Sequence, residues 1–115
     1  MPAIRTATVA LAPIFRDLVI ELIASHRVIE VIAEFDHTDG IQAQLREAAP
    51  QLILLGLRRA RDSGAALALA RLVPQARLIA FSNDRRDAFV YRGQGQRIAL
   101  IDFSTQMLID AIADL

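Results

Sequence analysis

Gln51-Leu52-Ile53-Leu54-Leu55-Gly56-Leu57 is the most continuous apolar segment of strand length in the chain, with Pro50 directly before it. A strand with one solvated face alternates apolar and polar residues, whereas a strand covered on both faces shows no alternation. Residues 51–57 therefore predict a central strand in a sheet that carries helices on both sides.

The flanking segments predict the rest of that sheet. Thr6 to Leu11 is a short run of small and β-branched residues followed by Pro13, the pattern of a buried strand with a hard stop. From Ile14 to Ala24, Ile14, Phe15, Leu18, Val19, Leu22 and Ile23 recur at helical spacing, and Arg16, Asp17 and Glu21 fill the other face. Val28 to Phe35 is apolar apart from Glu30 and Glu34, which predicts a second strand nearer an edge. Asp36, Thr38 and Asp39 are turn and N-cap candidates for a helix reaching about Ala49, with Ile41, Leu45 and Ala48 inward. After the central strand, Arg58 to Asp62 is a polar loop, Ser63 caps a helix to Val73, and Pro74 closes it. Arg77 to Phe81 predicts a fourth strand with the polar exit Ser82, Asn83 and Asp84.

Arg85 to Arg97 is ambiguous. Asp87 to Arg92 has the length of a short helix, but Gly93 and Gly95 each cost roughly 1 kcal/mol in a helix interior, so a helix here is expected to be short or irregular. Ile98 to Ile101 predicts a fifth strand. Asp102 or Ser104 caps a last helix through Leu115, with Met107, Leu108, Ala111 and Ile112 inward. Strands alternating with helices in this way predict a single α/β domain over residues 1–115, a doubly wound parallel sheet with right-handed crossovers. A site in such a fold lies beyond the carboxyl ends of the strands, here residues 11–14, 56–62, 82–85 and 101–103.

Composition narrows the chemistry. The 115 residues are 54% hydrophobic and 23% charged, with thirteen basic and thirteen acidic side chains and zero formal net charge. This argues against a nucleic-acid surface, which would carry a basic excess. No cysteine is present, so disulfides, thiolate zinc sites and cysteine nucleophiles are excluded, in keeping with a cytoplasmic protein. All thirteen basic residues are arginine, which excludes any mechanism that needs a lysine amine. No membrane span or signal peptide is expected, because the early apolar run is short and broken by Pro13.

The order and spacing of several motifs resemble a response-regulator receiver domain of the CheY-like, flavodoxin-like fold, closest to receivers that precede a helix-turn-helix output domain. Pro13-Ile14-Phe15-Arg16-Asp17 resembles the start of the first helix there, and Ile29-Glu30-Val31-Ile32-Ala33-Glu34 its second strand. Ala49-Pro50 leading into Gln51–Leu57 resembles the third strand, and Asp62-Ser63-Gly64 the glycine turn after the site. Val73-Pro74-Gln75-Ala76-Arg77-Leu78-Ile79-Ala80-Phe81-Ser82 resembles the fourth strand and its terminal hydroxyl. The resemblance implies a five-stranded parallel sheet of order 2-1-3-4-5. It also implies a role in signal transduction, in a two-component system. The chain ends directly after the fifth helix, so an output domain is expected to be absent or removed.

Receivers accept a phosphoryl group on an aspartate ending the third strand, hold Mg²⁺ with it and an acidic pair after the first strand, and use a lysine after the fifth. By the resemblance the acceptor position is Gly56, the acidic pair falls at Ala10 and Leu11, and the lysine falls at Ile101. These read as three separate losses from one active site. Neither the carboxylates that hard Mg²⁺ requires nor a lysine is present, and no metal or cofactor is expected. Ser82 retains the switch hydroxyl. The segment between Ser82 and the fifth strand is shorter than in receivers, and the aromatic position of their fifth strand falls at about Ile98.

The expected function is that of a pseudo-receiver with no catalytic residues. It acts by binding a protein: a signalling kinase, a transcription regulator or a second copy in a homodimer. Phe89 and Tyr91, among Arg85, Arg86, Arg92 and Arg97, have the composition of an interaction hot spot if Tyr91 is exposed. Phe89 and Val90 covering the sheet is the alternative. Partner-binding candidates are Phe89, Tyr91, Arg92 and Ile98. The other functional reading is a small-ligand sensor, in which Arg58, Arg59 and Arg61, with Arg85 and Arg86, bind an anion or nucleotide at the strand ends. The same arginines also suit a solvated loop. Gly93-Gln94-Gly95 lacks the P-loop pattern, and His26 and His37 have no metal-ligand spacing. Ser25, Ser63, Ser82 and Ser104 lie outside any nucleophile elbow, and Asp36, Asp84 and Asp102 suit turns and caps.

Overall fold

The computed structural model describes residues 3–24, 28–58, 63–82, 87–92, 96–102, 109, 110, 112 and 115, and of residues 14, 15, 22, 63, 87, 92 and 96–102 it describes the backbone alone. The strands are β1 (Ile4–Val9), β2 (Ile29–Phe35), β3 (Leu52–Leu57), β4 (Arg77–Ser82), β5 (Asp87–Arg92) and β6 (Gln96–Asp102). Helices α1 (Pro13–Ala24), α2 (Gln42–Ala48) and α3 (Ser63–Leu72) separate the first four. One sheet of six strands runs β2-β1-β3-β4-β5-β6. The pairings from β2 to β4 are parallel. Those of β4 with β5 and of β5 with β6 are antiparallel.

β3 sits where its unbroken apolar run places it, between β1 and β4. Ile53, Leu55 and Leu57 are buried on one face with Leu45 of α2 and Ala66 and Leu69 of α3. Leu52 and Leu54 are buried on the other face with Val19 and Ile23 of α1 and with Ile112. Full burial of each such side chain contributes about 1.5–3 kcal/mol. Gln51 ties the opposite, amino-terminal ends of three strands together. Its N–H donates to the Arg5 carbonyl at 2.8 Å and its own carbonyl accepts from the Arg77 N–H at 2.9 Å. Its side-chain Oε1 accepts from the Arg5 N–H at 3.0 Å.

The expected elements hold with shifted ends over the first four strands. β2 is an edge strand as its glutamates suggested, and exposed Glu34 accepts from Arg16 Nη1 of α1 at 2.9 Å. Charge along such an edge discourages the addition of a further strand. Asp36, Thr38 and Asp39 do not cap α2: the N-cap is Ile41, with no side-chain hydrogen bond. α2 ends in a left-handed Ala49, whose N–H donates to the Leu45 carbonyl at 3.2 Å just before Pro50. Leu18, expected inward, is 44% exposed.

The second half departs from expectation. The short or irregular fourth helix at Asp87 to Arg92 is strand β5, and the sheet is mixed. The cause lies in Phe89, Val90 and Tyr91, which favour a pleated, half-buried surface, and in Gly93-Gln94-Gly95, which has the composition of a hairpin connection and not of a helix interior. Ile98 to Ile101, expected as the fifth parallel strand, falls within β6, the sixth strand, beyond β5. Ile109, Asp110 and Ile112 are helical and Ile112 is buried, as expected of the last helix; Met107, Leu108 and Ala111 lie outside the described residues. Among the described residues, no helix is long and apolar enough to cross a membrane.

Core truncation separates these two kinds of apolar residue. Leu54→Ala should destabilise the chain by about 2–5 kcal/mol in urea unfolding, and Leu18→Ala should stay within about 0.5 kcal/mol of wild type.

Candidate functional site

The chemistry-bearing end of a doubly wound sheet is its carboxyl edge, and here its geometry is set by Ala10 and Gly56. Ala10 follows β1 in the left-handed region, with φ +53°. Its N–H donates to the Phe35 carbonyl at the end of β2, at 2.7 Å. This turn brings the Ala10 backbone over β3. A Cβ at Gly56 would overlap the Ala10 carbonyl oxygen and approach Ala10 C and Leu11 Cα at 3.0 Å. Gly56 is thus required by close backbone packing, besides lacking a side chain for chemistry.

Beside this contact lies a groove of about 270 Å³, walled by Ala10, by Asp36, His37 and Thr38 of the loop after β2, by Gly56, Leu57 and Arg58, and by Ala65 of α3. Asp36, His37 and Arg58 are exposed and Thr38 is half-buried. The described lining residues do not gather the carboxylates that a hard cation takes. Ala10, Leu11 and Gly56 supply no carboxylate, and Asp36 is the only carboxylate among the described lining residues. No three metal-ligating side chains gather among the described residues.

Ser82, expected as a switch hydroxyl, pairs with Leu57 across β3 and β4 and is fully buried. Its Oγ has no hydrogen-bond partner among the described residues. Leaving a buried hydroxyl unmatched costs about 1–3 kcal/mol. Ile101 stands in β6 opposite Ala88, so β5 separates it from β4 and it does not occupy a strand end next to Ser82.

Of the five candidate anion-binding arginines the structure places Arg58 at the groove, while Arg59, Arg61, Arg85 and Arg86 lie outside the described residues. His26 also lies outside them. The exposed-aromatic reading of Phe89 and Tyr91 is corrected: they are 7% and 4% exposed and belong to the core face under α3. Arg92 pairs with Gln96, and Ile98 falls at the register shift between β5 and β6. Asp36, His37 and Thr38 were legible only as turn residues. Their position after a strand was the available signal, and their convergence with Arg58 needed the three-dimensional arrangement of β1, β2 and β3.

The first five strands stand in the order 2-1-3-4-5 with β5 reversed, an α/β arrangement consistent with a flavodoxin-like fold. No protein-family model, curated protein or solved structure matches the chain.

Two substitutions test the contact. Gly56→Ala should lower unfolding free energy by about 1–3 kcal/mol, because backbone must move to admit the methyl group. Ala10→Gly should raise it by about 0.5–1 kcal/mol, since a left-handed L-residue costs about 1–2 kcal/mol and glycine's added chain entropy offsets part of that relief. Both are read by urea denaturation.

Proposed function

We propose that this chain is a receiver-like domain without phosphoryl transfer, working in signal transduction or transcriptional regulation by binding another protein, such as a signalling kinase, a regulator or a second copy. In this reading it is cytoplasmic and performs no catalysis. The observation that carries the reading is the Ala10 carbonyl over Gly56, which fills the space an acceptor side chain would need. A scaffold that keeps the receiver strand order and has no acceptor transmits a signal only through what it binds. Arg92 and Ile98 remain its partner-binding candidates. They lie on the β5–β6 pair, and among the described residues β6 pairs with β5 alone, leaving an edge to which a partner strand can add.

The test uses radiolabelled acetyl phosphate with Mg²⁺. Wild-type protein should take up no acyl phosphate, and Gly56→Asp should gain none while unfolding at lower urea. Stoichiometric, Mg²⁺-dependent labelling of wild type would remove the reading.

A further inference from the structure

The groove at the carboxyl ends of β1, β2 and β3 lies where the chain's winding reverses. β1 and β3 are neighbours, yet α1 after β1 covers one face of the sheet and α3 after β3 covers the other. Connections that leave adjacent strands in opposite directions open a crevice between them, the usual ligand position of open α/β sheets. Here it is lined by Ala10 and Gly56 from those two strand ends and completed by Asp36, His37, Thr38 and Arg58.

We propose that this groove binds a small carboxylate that also carries a hydrogen-bond donor, as an amino acid or a short hydroxy acid does. Arg58 supplies a fork of donors suited to a carboxylate, and Asp36 supplies an acceptor of opposite charge. Thr38 can donate or accept, and His37 adds two ring nitrogens. Among the described lining residues one arginine stands with one aspartate. A ligand carrying both an anionic and a donor group uses both, whereas a bare dianion such as phosphate meets Asp36 as a like charge. A volume of about 270 Å³ lies at the lower end of what small-molecule sites offer, roughly 300–1,000 Å³. Two local costs meet at this spot, the left-handed Ala10 and a glycine inside the central strand, and both shape the groove wall.

The site does not depend on the partner-binding reading, and a chain shown to be phosphorylated would still be open to this test. Thermal shift followed by amide NMR titration should be run on the intact chain with glycine, serine, lactate and malate, against inorganic phosphate and AMP as comparators. At least one amino or hydroxy acid should raise the melting temperature at millimolar concentration, because a ligand of the folded state alone stabilises it. It should move the amide signals of residues 36–38 and 56–58. Arg58→Ala should weaken that binding at least tenfold, while Arg46→Ala on α2 should leave it unchanged. Asp36→Asn should reduce binding of glycine and serine more than binding of lactate. Both Arg58 and Asp36 are exposed, so these variants should fold. The proposal is overturned by no response to the four acids, by binding that Arg58→Ala retains, or by phosphate or AMP binding more tightly than all of them.

Discussion

Every residue of β4, from Arg77 to Ser82, is buried, as are Leu52 to Leu55 of β3. Two adjacent strands sealed on both faces set the constraint on which the other elements depend. Each face needs helices, and the free edge of β4 needs hydrogen-bonding partners that water cannot supply there. α1 and Ile112 cover one face, and α2 and α3 the other. β5 satisfies the remaining edge from Leu78 to Phe81. Because β5 comes back antiparallel, it reaches that edge with a short connection and needs no crossover helix. Phe89 and Tyr91 then extend the core floor beneath α3, where a further helix would otherwise have to pack.

That economy explains how far the sequence could be read. Elements with a strong period or an unbroken apolar run, α1 and β3 above all, are recoverable because a single local pattern determines them. Asp87 to Arg92 has neither pattern at sufficient length. Its strand conformation is decided by non-local pairing with Leu78 to Phe81, and its length alone suits a short helix equally well. The glycines that argued against a regular helix were the better signal. The same two residues, placed between two short β-branched and aromatic runs, are hairpin composition.

At the carboxyl edge, residue identities told less than residue positions. The loop residues Asp36, His37 and Thr38 look like any turn after a strand, and nothing local links them to Arg58 twenty residues later. The parallel registers of β1 with β2 and with β3 carry them to one groove. Burial of Ser82 is similarly invisible in sequence, because a serine after a strand is ordinarily solvated; here it lies opposite Leu57 on a sealed strand.

Packing also changes the meaning of the positions set against the receiver pattern. In sequence, Ala10-Leu11, Gly56 and Ile101 read as three separate losses. In the structure the first two are one arrangement: the hydrogen bond from Ala10 to Phe35 holds the turn after β1 in place, and that turn occupies the volume above Gly56. Any side chain at 56 requires the turn to retreat, and that turn already carries the cost of about 1–2 kcal/mol that a left-handed L-residue incurs at Ala10. Ile101 belongs to a different arrangement: it lies in β6, which β5 separates from β4. A lysine placed at 101 would therefore stand in β6, one strand beyond β5 and away from residues 10 and 56. The crowding above Gly56 and the position of Ile101 are set by the β1–β3 contact and by the sheet order, and not by the side chains alone.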